Sequence, residues 1–560
     1  MKYKFIVAAA TISALSGCAG YQQDKSIEIK PAAQESAIEA HMQFLASDQL
    51  AGRETGSKEH DVASLYIATQ LQALGLKPAG VDGSYLQQVP LRKARLVPDS
   101  AEFSLHVDGK TTELSFPKAF FTGPSMQYTD VAVTAPLVFA GYGLVSKEFG
   151  LDDYANIDVQ GKIVVLLSGR PESLPSEEAA HLNSLKTKLA AERGAVGIIT
   201  IHTPKQEKAR PYATSLLYLN APSMEWLHTD GTPADSYPNM KAGAYVHYDA
   251  AGALFAKAEQ SLAQIFAATE QQQNPKGFDL GVSATLKRRS THEAIDSPNV
   301  LAVLPGSDPT LKDEYVVITA HSDHIGLSND LRSDDKINNG AMDNASGVAI
   351  LLETARMFAA MPVAPKRSIL FAVVTGEEKG LLGADYFANN PTVAIDKMVA
   401  NVNLDMPVLL YPFADMIAFG ANHSSLGKVV AQAAAKEGIA LSADPMPEQA
   451  IFTRSDHYTL VKKGVPAVFL MTGFKSKDPN QDGGKVWGSF FAKHYHKPSD
   501  DIPSLIKDYG AIRYDAGAVF ANINYNIALD IANTKQRPYW LKDSFFNGVF
   551  GKPYNRETEK

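Results

Sequence analysis

Several apolar runs in this chain are followed at once by residues that can do chemistry. Val316-Val317-Ile318-Thr319-Ala320 leads into His321-Ser322-Asp323-His324. Ile369-Leu370-Phe371-Ala372-Val373-Val374 leads into Thr375-Gly376-Glu377-Glu378, and Val399-Ala400-Asn401-Val402-Asn403-Leu404 into Asp405. A fourth group, Gly340-Ala341-Met342-Asp343-Asn344-Ala345-Ser346-Gly347, reads as a loop opening a helix. Open α/β sheets bind ligands outside the carboxyl ends of their strands, and three such ends here carry imidazole or carboxylate. Donors of those two kinds gathered on one edge suit zinc or a similar divalent ion. Taken singly, each has a plainer reading: a structural His, a solvated glutamate turn, an Asp-Asn helix cap. Their ordered coincidence is what points to a metal centre.

Elements must exist to hold these groups. From Pro298 to about 533 strand and helix patterns alternate, which argues for a mostly parallel sheet covered on both faces. The expected strands are 300–304, 315–320, 368–374, 398–404 and 467–471. After Asn344, the residues Val348, Leu351, Leu352, Ala355 and Phe358 share one helical face. Two helices are expected near the N-terminus. One spans 36–47, with Ile38, Met42 and Leu45 at helical spacing; the other spans 58–74, with Val62, Leu65, Tyr66 and Thr69. Gly75 and Pro78 stop the second. Residues 50–57, Leu-Ala-Gly-Arg-Glu-Thr-Gly-Ser, read as a loop. Between 97 and 290 the texture shifts to short alternating runs such as Phe103–Val107, a buried strand at Gly161–Leu167, a helix over Lys186–Arg193 and a strand at Gly197–Ile201. The expected class is α/β, a mixed and mostly parallel sheet flanked by helices, with an inserted β-rich α/β unit.

In order, His321-x-Asp323, Gly340-Ala-x-Asp343-Asn-Ala-Ser-Gly347, Gly376-Glu377-Glu378, Asn403-Leu-Asp405 and Tyr495-His496-Lys-Pro-Ser-Asp500 resemble the M28 family of co-catalytic zinc exopeptidases. The resemblance runs from about 40 to 530, interrupted by the insertion. It implies two Zn²⁺ bridged by Asp343, with His321 and Asp405 completing one site and Glu378 and His496 the other. It implies Glu377 as general base and Asp323 as the carboxylate that orients His321. It further implies a cis peptide between Asp343 and Asn344. His496 is preferred over His494 because it precedes Lys497-Pro498-Ser499-Asp500. The oxyanion donor stays unassigned; Tyr458, in Arg454-Ser455-Asp456-His457-Tyr458, is a candidate, with packing as its other reading. His324 and His457 are expected to hold the fold. Gly161-Lys162-Ile163-Val164 and Ala190-Ala191-Glu192-Arg193-Gly194-Ala195 resemble the protease-associated domain.

The chain has 560 residues, a net charge of -8 and 45% hydrophobic residues, with charges of both signs mixed. That suits two globular units or three, with two the default, and the lack of a basic block argues against nucleic acid as a partner. At the N-terminus, Lys2 and Lys4 precede a short apolar run, Phe5 to Leu15, shorter than the roughly 20 residues that span a bilayer. It ends Leu15-Ser16-Gly17-Cys18, which resembles a bacterial lipobox. Cys18 is the only cysteine, so no disulfide can form within the chain. The expected organisation is a lipoprotein signal at 1–18, a tether at 19–35, catalytic segments at 36–96 and 291–535, the insertion at 97–290 and a tail at 536–560. The expected protein is an exported, lipid-anchored aminopeptidase of a bacterial envelope, facing periplasm or cell surface, that acts on peptides. A carboxypeptidase of the same family is the first alternative. Glutaminyl cyclisation needs one zinc and a binding lipoprotein none, and the complete five-ligand set argues against both.

Overall fold

The computed structural model describes residues 31–328 and 334–551. Cys18 and the apolar run before it lie outside the described residues.

The main sheet runs in the order Leu86–Leu96, Phe278–Leu304, Ser368–Val374, Tyr315–His321, Met398–Leu404, Ala467–Thr472, Asp415–Phe419, Ala440–Ser442. The four inner strands, from Ser368–Val374 to Ala467–Thr472, are parallel to one another. Side chains alternate across a strand, and here both faces are covered. Val316, Ile318, Ala320, Ile369, Phe371 and Val373 pack under helices Glu35–Leu45, Gly347–Ala359 and Tyr514–Asn533. Val317, Leu370 and Ala372 pack with Phe387, Ala388, Leu460 and Val465 on the other side. Double burial explains why these strands read as continuous apolar runs. Parallel order also brings the residues after them to one edge.

The insertion has its own sheet and core. Strands Asp130–Phe139, Ile163–Leu167, Gly197–His202 and Ala242–His247 lie parallel in that order, over Leu137, Phe139, Ile199, Ile201 and Val246. It is not separated by a linker. The strand Phe278–Leu304 pairs at 283–287 with Glu102–Val107 of the insertion and at 290–300 with Leu86–Leu96 of the main sheet. A boundary at 290 therefore falls inside a continuous strand, where no composition shift marks it.

Three further expectations need correction. Helix Lys58–Ala73 buries His60, Ala63, Ser64, Ile67, Ala68 and Leu71, while Val62 and Leu65 are 49% and 61% exposed. Ile67 and Leu71 share this face with Ala63, Ser64 and Ala68, and His60 Nε2 reaches Ser322 Oγ at 3.0 Å. Residues 536–551 are no loose tail. Trp540 donates its indole N–H to the Gly464 carbonyl at 2.7 Å. Phe545 and Phe546 are buried, and Phe546 meets His423, Phe452 and Tyr458 edge-on. The expected tether end is also docked, for Gln34 N–H donates to Glu353. Among the described residues no helix is long and apolar enough to cross a membrane.

Candidate active site

Three strand ends and two loops deliver the donors to the carboxyl edge of the main sheet. His321 ends its strand, Glu377 and Glu378 follow Val374, and Asp405 follows Leu404. Asp343 sits in the irregular turn Ala341–Ser346 that opens helix Gly347–Ala359, and the Asp343–Asn344 peptide is cis, as the resemblance implied. His496 lies just beyond helix Gly483–Lys493, with a left-handed backbone at φ 57.

Asp343 holds the centre. Its Oδ1 lies 3.3 Å from His321 Nε2, and its Oδ2 lies 3.2 Å from His496 Nε2. His321 Nε2 is also 3.3 Å from Asp405 Oδ1. His496 Nε2 is 3.1 Å from Glu378 Oε2. Zinc holds nitrogen and oxygen ligands tetrahedrally at about 2.0–2.1 Å, which makes the edge between two ligand atoms about 3.3 Å. All four separations lie close to that edge. The donors thus fit two divalent ions sharing one carboxylate. His321, Asp343 and Asp405 lie within reach of one common ion, and His496 meets both Asp343 and Glu378. His324, Asp343 and Glu378 also lie within reach of a common ion, but His324 Nδ1 is 2.7 Å from Glu378 Oε1 and 4.0 Å from Asp343 Oδ2. One separation is too short and one too long for ligands on one tetrahedral ion.

The electrostatics agree with a cation site. Burial disfavours charge on His496, yet its contacts with Asp343 and Glu378 prevail and raise its pKa to about 11. His321 is likewise raised well above the usual imidazole range, burial being outweighed by Asp405, Glu377 and Asp343. Protons are drawn to the two places where divalent ions would add far more positive charge, and metal binding would release them. Glu378 is pushed up by burial and Asp343, but His324 and His496 outweigh both and hold it at about 2. Glu377 goes the other way. Burial raises its carboxyl well above the usual range, and Asp405, Glu378 and Asp456 add to this while His321 opposes. Adjacent glutamates are therefore pushed apart, the pattern that separates a proton carrier from a ligand.

The groups behind the donors are hydrogen-bonded into place. Asp405 Oδ2 accepts from Ser455 Oγ at 2.6 Å, and Ser455 accepts from Asn403 Nδ2 at 2.7 Å. Asp500 accepts from the backbone N–H of Met342 and Asp343 at 3.0 and 3.1 Å. Asn344 donates to the Leu404 carbonyl and accepts from Met406 N–H, tying the Asp343 turn to the Asp405 strand end. Asp323 differs from expectation. The Nδ1 of His321 donates to the backbone carbonyl of Asp323 at 3.1 Å, and the carboxylate stands 3.8 Å away. That carboxylate instead accepts from Glu377 N–H at 3.1 Å, Glu378 N–H at 3.4 Å and Thr55 Oγ1 at 2.9 Å. One residue fixes the His321 tautomer with its backbone and anchors both glutamates with its side chain.

Several residues here escaped the sequence reading. Arg53, 1% exposed, donates to the carbonyls of Ser322, Leu45, Asn339 and Gly340, so it braces the His321 and Asp343 loops together. A lone Arg in a Gly-rich loop was its only signal. Tyr495 stands in the quoted Tyr495-His496 motif without an assigned role. Its ring stacks on His496 with centroids 3.9 Å apart. Burial, and then the carboxylates of Asp343, Glu378, Glu377 and Asp405, push its phenol far up. Tyr458 resolves to packing: its hydroxyl pairs with His181 Nδ1 of the insertion at 2.8 Å. His457 lies buried between Phe452 and Phe469. His494 Nδ1 donates to the Ser499 carbonyl, inside the turn that presents His496.

Residues 299–516 match Peptidase family M28. That span holds every donor named above, while Arg53 and Thr55 lie before it. A "Probable zinc metalloprotease" of Pyrenophora teres f. teres is 39% identical over 113 residues, 20% of this chain and 23% of that protein. "Probable leucine aminopeptidase 2" of Aspergillus fumigatus is 23% identical over 45% of this chain and 48% of that protein. The chain thus spans about half or less of these curated relatives. Among solved structures, the aminopeptidase from Aneurinibacillus sp. strain AM-1 aligns over 90% of this chain and 95% of that one, at 18% identity and a TM-score of 0.49.

The adjacent glutamates make a direct check of the geometry. Glu377→Gln keeps the shape and removes the proton carrier. Turnover should fall by roughly 10²–10⁴ while metal content stays at the wild-type level. Glu378→Ala should lower metal content as well as rate. Metal analysis and peptide turnover on the same preparations decide it. Loss of metal in Glu377→Gln with full retention in Glu378→Ala would reverse the assignment.

Proposed function

We propose that this chain is a dizinc exopeptidase, an aminopeptidase that releases N-terminal residues from peptides. The observation that carries the proposal is the Asp343 carboxylate, with one oxygen facing His321 and the other facing His496. His321, Asp343 and Asp405 would hold one zinc, and His496, Asp343 and Glu378 the other. Bound there, two zinc ions would lower the pKa of a shared water and polarise the scissile carbonyl. Glu377, outside both donor groups, takes the proton of the attacking water on its carboxylate and passes it to the departing amine nitrogen. Asp323 keeps Glu377 in place through its backbone N–H. The names of the relatives support cleavage from the amino end. A carboxypeptidase is the second reading, and the substrate test separates the two.

An aminoacyl anilide should be cut and its N-acetyl form spared by the same preparation. Equal cleavage of both, or release of C-terminal residues alone, would overturn the aminopeptidase assignment.

The proposal extends to location. Leu15-Ser16-Gly17-Cys18 supports a lipid attached at Cys18 and an exported, membrane-tethered enzyme of a bacterial envelope. The several acyl chains of such an anchor hold far more firmly than one. Cys18→Ser should move the protein from the membrane fraction to the soluble fraction. A variant that still sediments with membranes after a salt wash would sink the anchor.

A further inference from the structure

Glu378 is gripped by two imidazoles, one on each carboxylate oxygen. His496 Nε2 faces Oε2 at 3.1 Å, on the side of the donor group that includes Asp343. His324 Nδ1 faces Oε1 at 2.7 Å, on the far side. We infer that His324 is a positioning residue whose Nδ1–H holds Oε1 of Glu378, leaving Oε2 as the oxygen offered to metal. The inference rests on the dizinc reading above and deepens it.

Three observations carry it. The first is distance. A separation of 2.7 Å suits a charge-assisted N–H···O⁻ bond, whose range is about 2.7–2.9 Å. It is well short of the edge of about 3.3 Å between two ligands on one zinc, while the 4.0 Å from His324 Nδ1 to Asp343 Oδ2 is well beyond it. His496, by contrast, meets both carboxylates near that edge. The two histidines near Glu378 thus have different tasks.

The second is how the ring is held. His324 is fully buried. Its backbone N–H donates to the Arg53 carbonyl at 3.1 Å, within the bridge between Glu54 and His324. The ring lies against Gly340, where a Cβ would clash with the Asp343 carbonyl oxygen and come within 2.8 Å of the imidazole Cγ and Cδ2. Gly340 has a left-handed backbone at φ 60 and opens the Asp343 turn. Its missing side chain is the space that His324 fills.

The third is the ring's bonding. The proton is assigned to Nδ1 because the facing atom is a carboxylate oxygen. The other nitrogen, Nε2, has no partner among the described residues. The Glu378 bond is therefore the one side-chain hydrogen bond found for this imidazole among those residues. A free carboxylate can turn and bind a metal through both oxygens. With Oε1 held, Glu378 binds through one, and its neighbour Glu377 keeps its separate task. Asp323 fixes the backbone of the pair, and His324 fixes the head group of one member.

The test is zinc affinity, read by competition with a chromophoric chelator at fixed pH, on the full chain. Circular dichroism of the metal-free forms is recorded alongside. Wild type should bind two ions. His324→Ala should bind one of the two more weakly by roughly 10–100-fold, the usual cost of losing a partner behind a metal ligand. His324→Asn places an amide N–H close to where Nδ1 stands and should recover most of that loss. His324→Gln, whose amide stands near the Nε2 position, should not recover it, and it replaces the Ala variant if that chain fails to fold. Cobalt-loaded wild type and His324→Asn should give the same visible spectrum, since no ligand changes. Unchanged affinity for both ions in His324→Ala would overturn the inference. So would an Asn variant as weak as Ala with an altered cobalt spectrum, which would make His324 a ligand. A wild type that binds fewer than two ions would instead bring down the dizinc reading, and the inference with it.

Discussion

A carboxylate that presents one oxygen to each of two imidazoles has little freedom left, and Asp343 is under that constraint. Rotating its head group to favour His321 would withdraw it from His496. Both contacts persist only if the turn that carries Asp343 is held from several directions. Asp500 receives its backbone N–H, Asn344 ties it to Leu404 and Met406, and Arg53 takes the carbonyl of Gly340 at its start. Each removes a way for the bridging carboxylate to move.

The cost of gathering these charges explains the rest of the design. Asp323, Asp343, Asp405, Glu377, Glu378 and Asp456 share a small volume, most of it closed to solvent. Like charges at such spacing cannot all stay ionised unless cations join them. His321, His496 and the buried Arg53 supply part of the compensation, and two divalent ions would supply more. Arg53 is itself pushed down to about 10 by burial, with Asp323, Asp343, Asp500 and Glu378 pulling it back up. Among the described residues its guanidinium nonetheless bonds only to carbonyls, so it braces the loops without competing for a ligand oxygen. The insertion joins this frame at one remove. His181 holds Tyr458, Glu177 pairs with His423 at 2.7 Å, and the aromatic helix Phe545–Phe550 closes over both. From there the chain runs back through Ser455 to Asp405.

Much of this could be read from residue order. A buried parallel strand leaves a dense apolar run, so 368–374 and 398–404 were found with their observed limits. The donors stood out because each follows such a run or a short motif, and His496 was separated from His494 by what comes after it. What escaped has a common physical origin. Arg53 and Thr55 act on loops some 270 or more residues away in sequence, and no local pattern encodes a ring of carbonyls. Tyr495 and His324 depend on which way a ring turns. Helix Lys58–Ala73 was read by Val62, Leu65, Tyr66 and Thr69, whereas the face that packs inward carries Ile67 and Leu71 with Ala63, Ser64 and Ala68. Asp323 kept its place but changed its task, because two acceptors of one residue, carbonyl and carboxylate, were both in reach of His321.

Anomalous diffraction at the zinc edge, from crystals of zinc-loaded protein, tests the shared carboxylate most directly. The account predicts two peaks, one beside each oxygen of Asp343 and each about 2.0–2.2 Å from it. One should also touch His321 and Asp405, the other Glu378 and His496. A single peak, or two peaks neither of which is coordinated by Asp343, would contradict it.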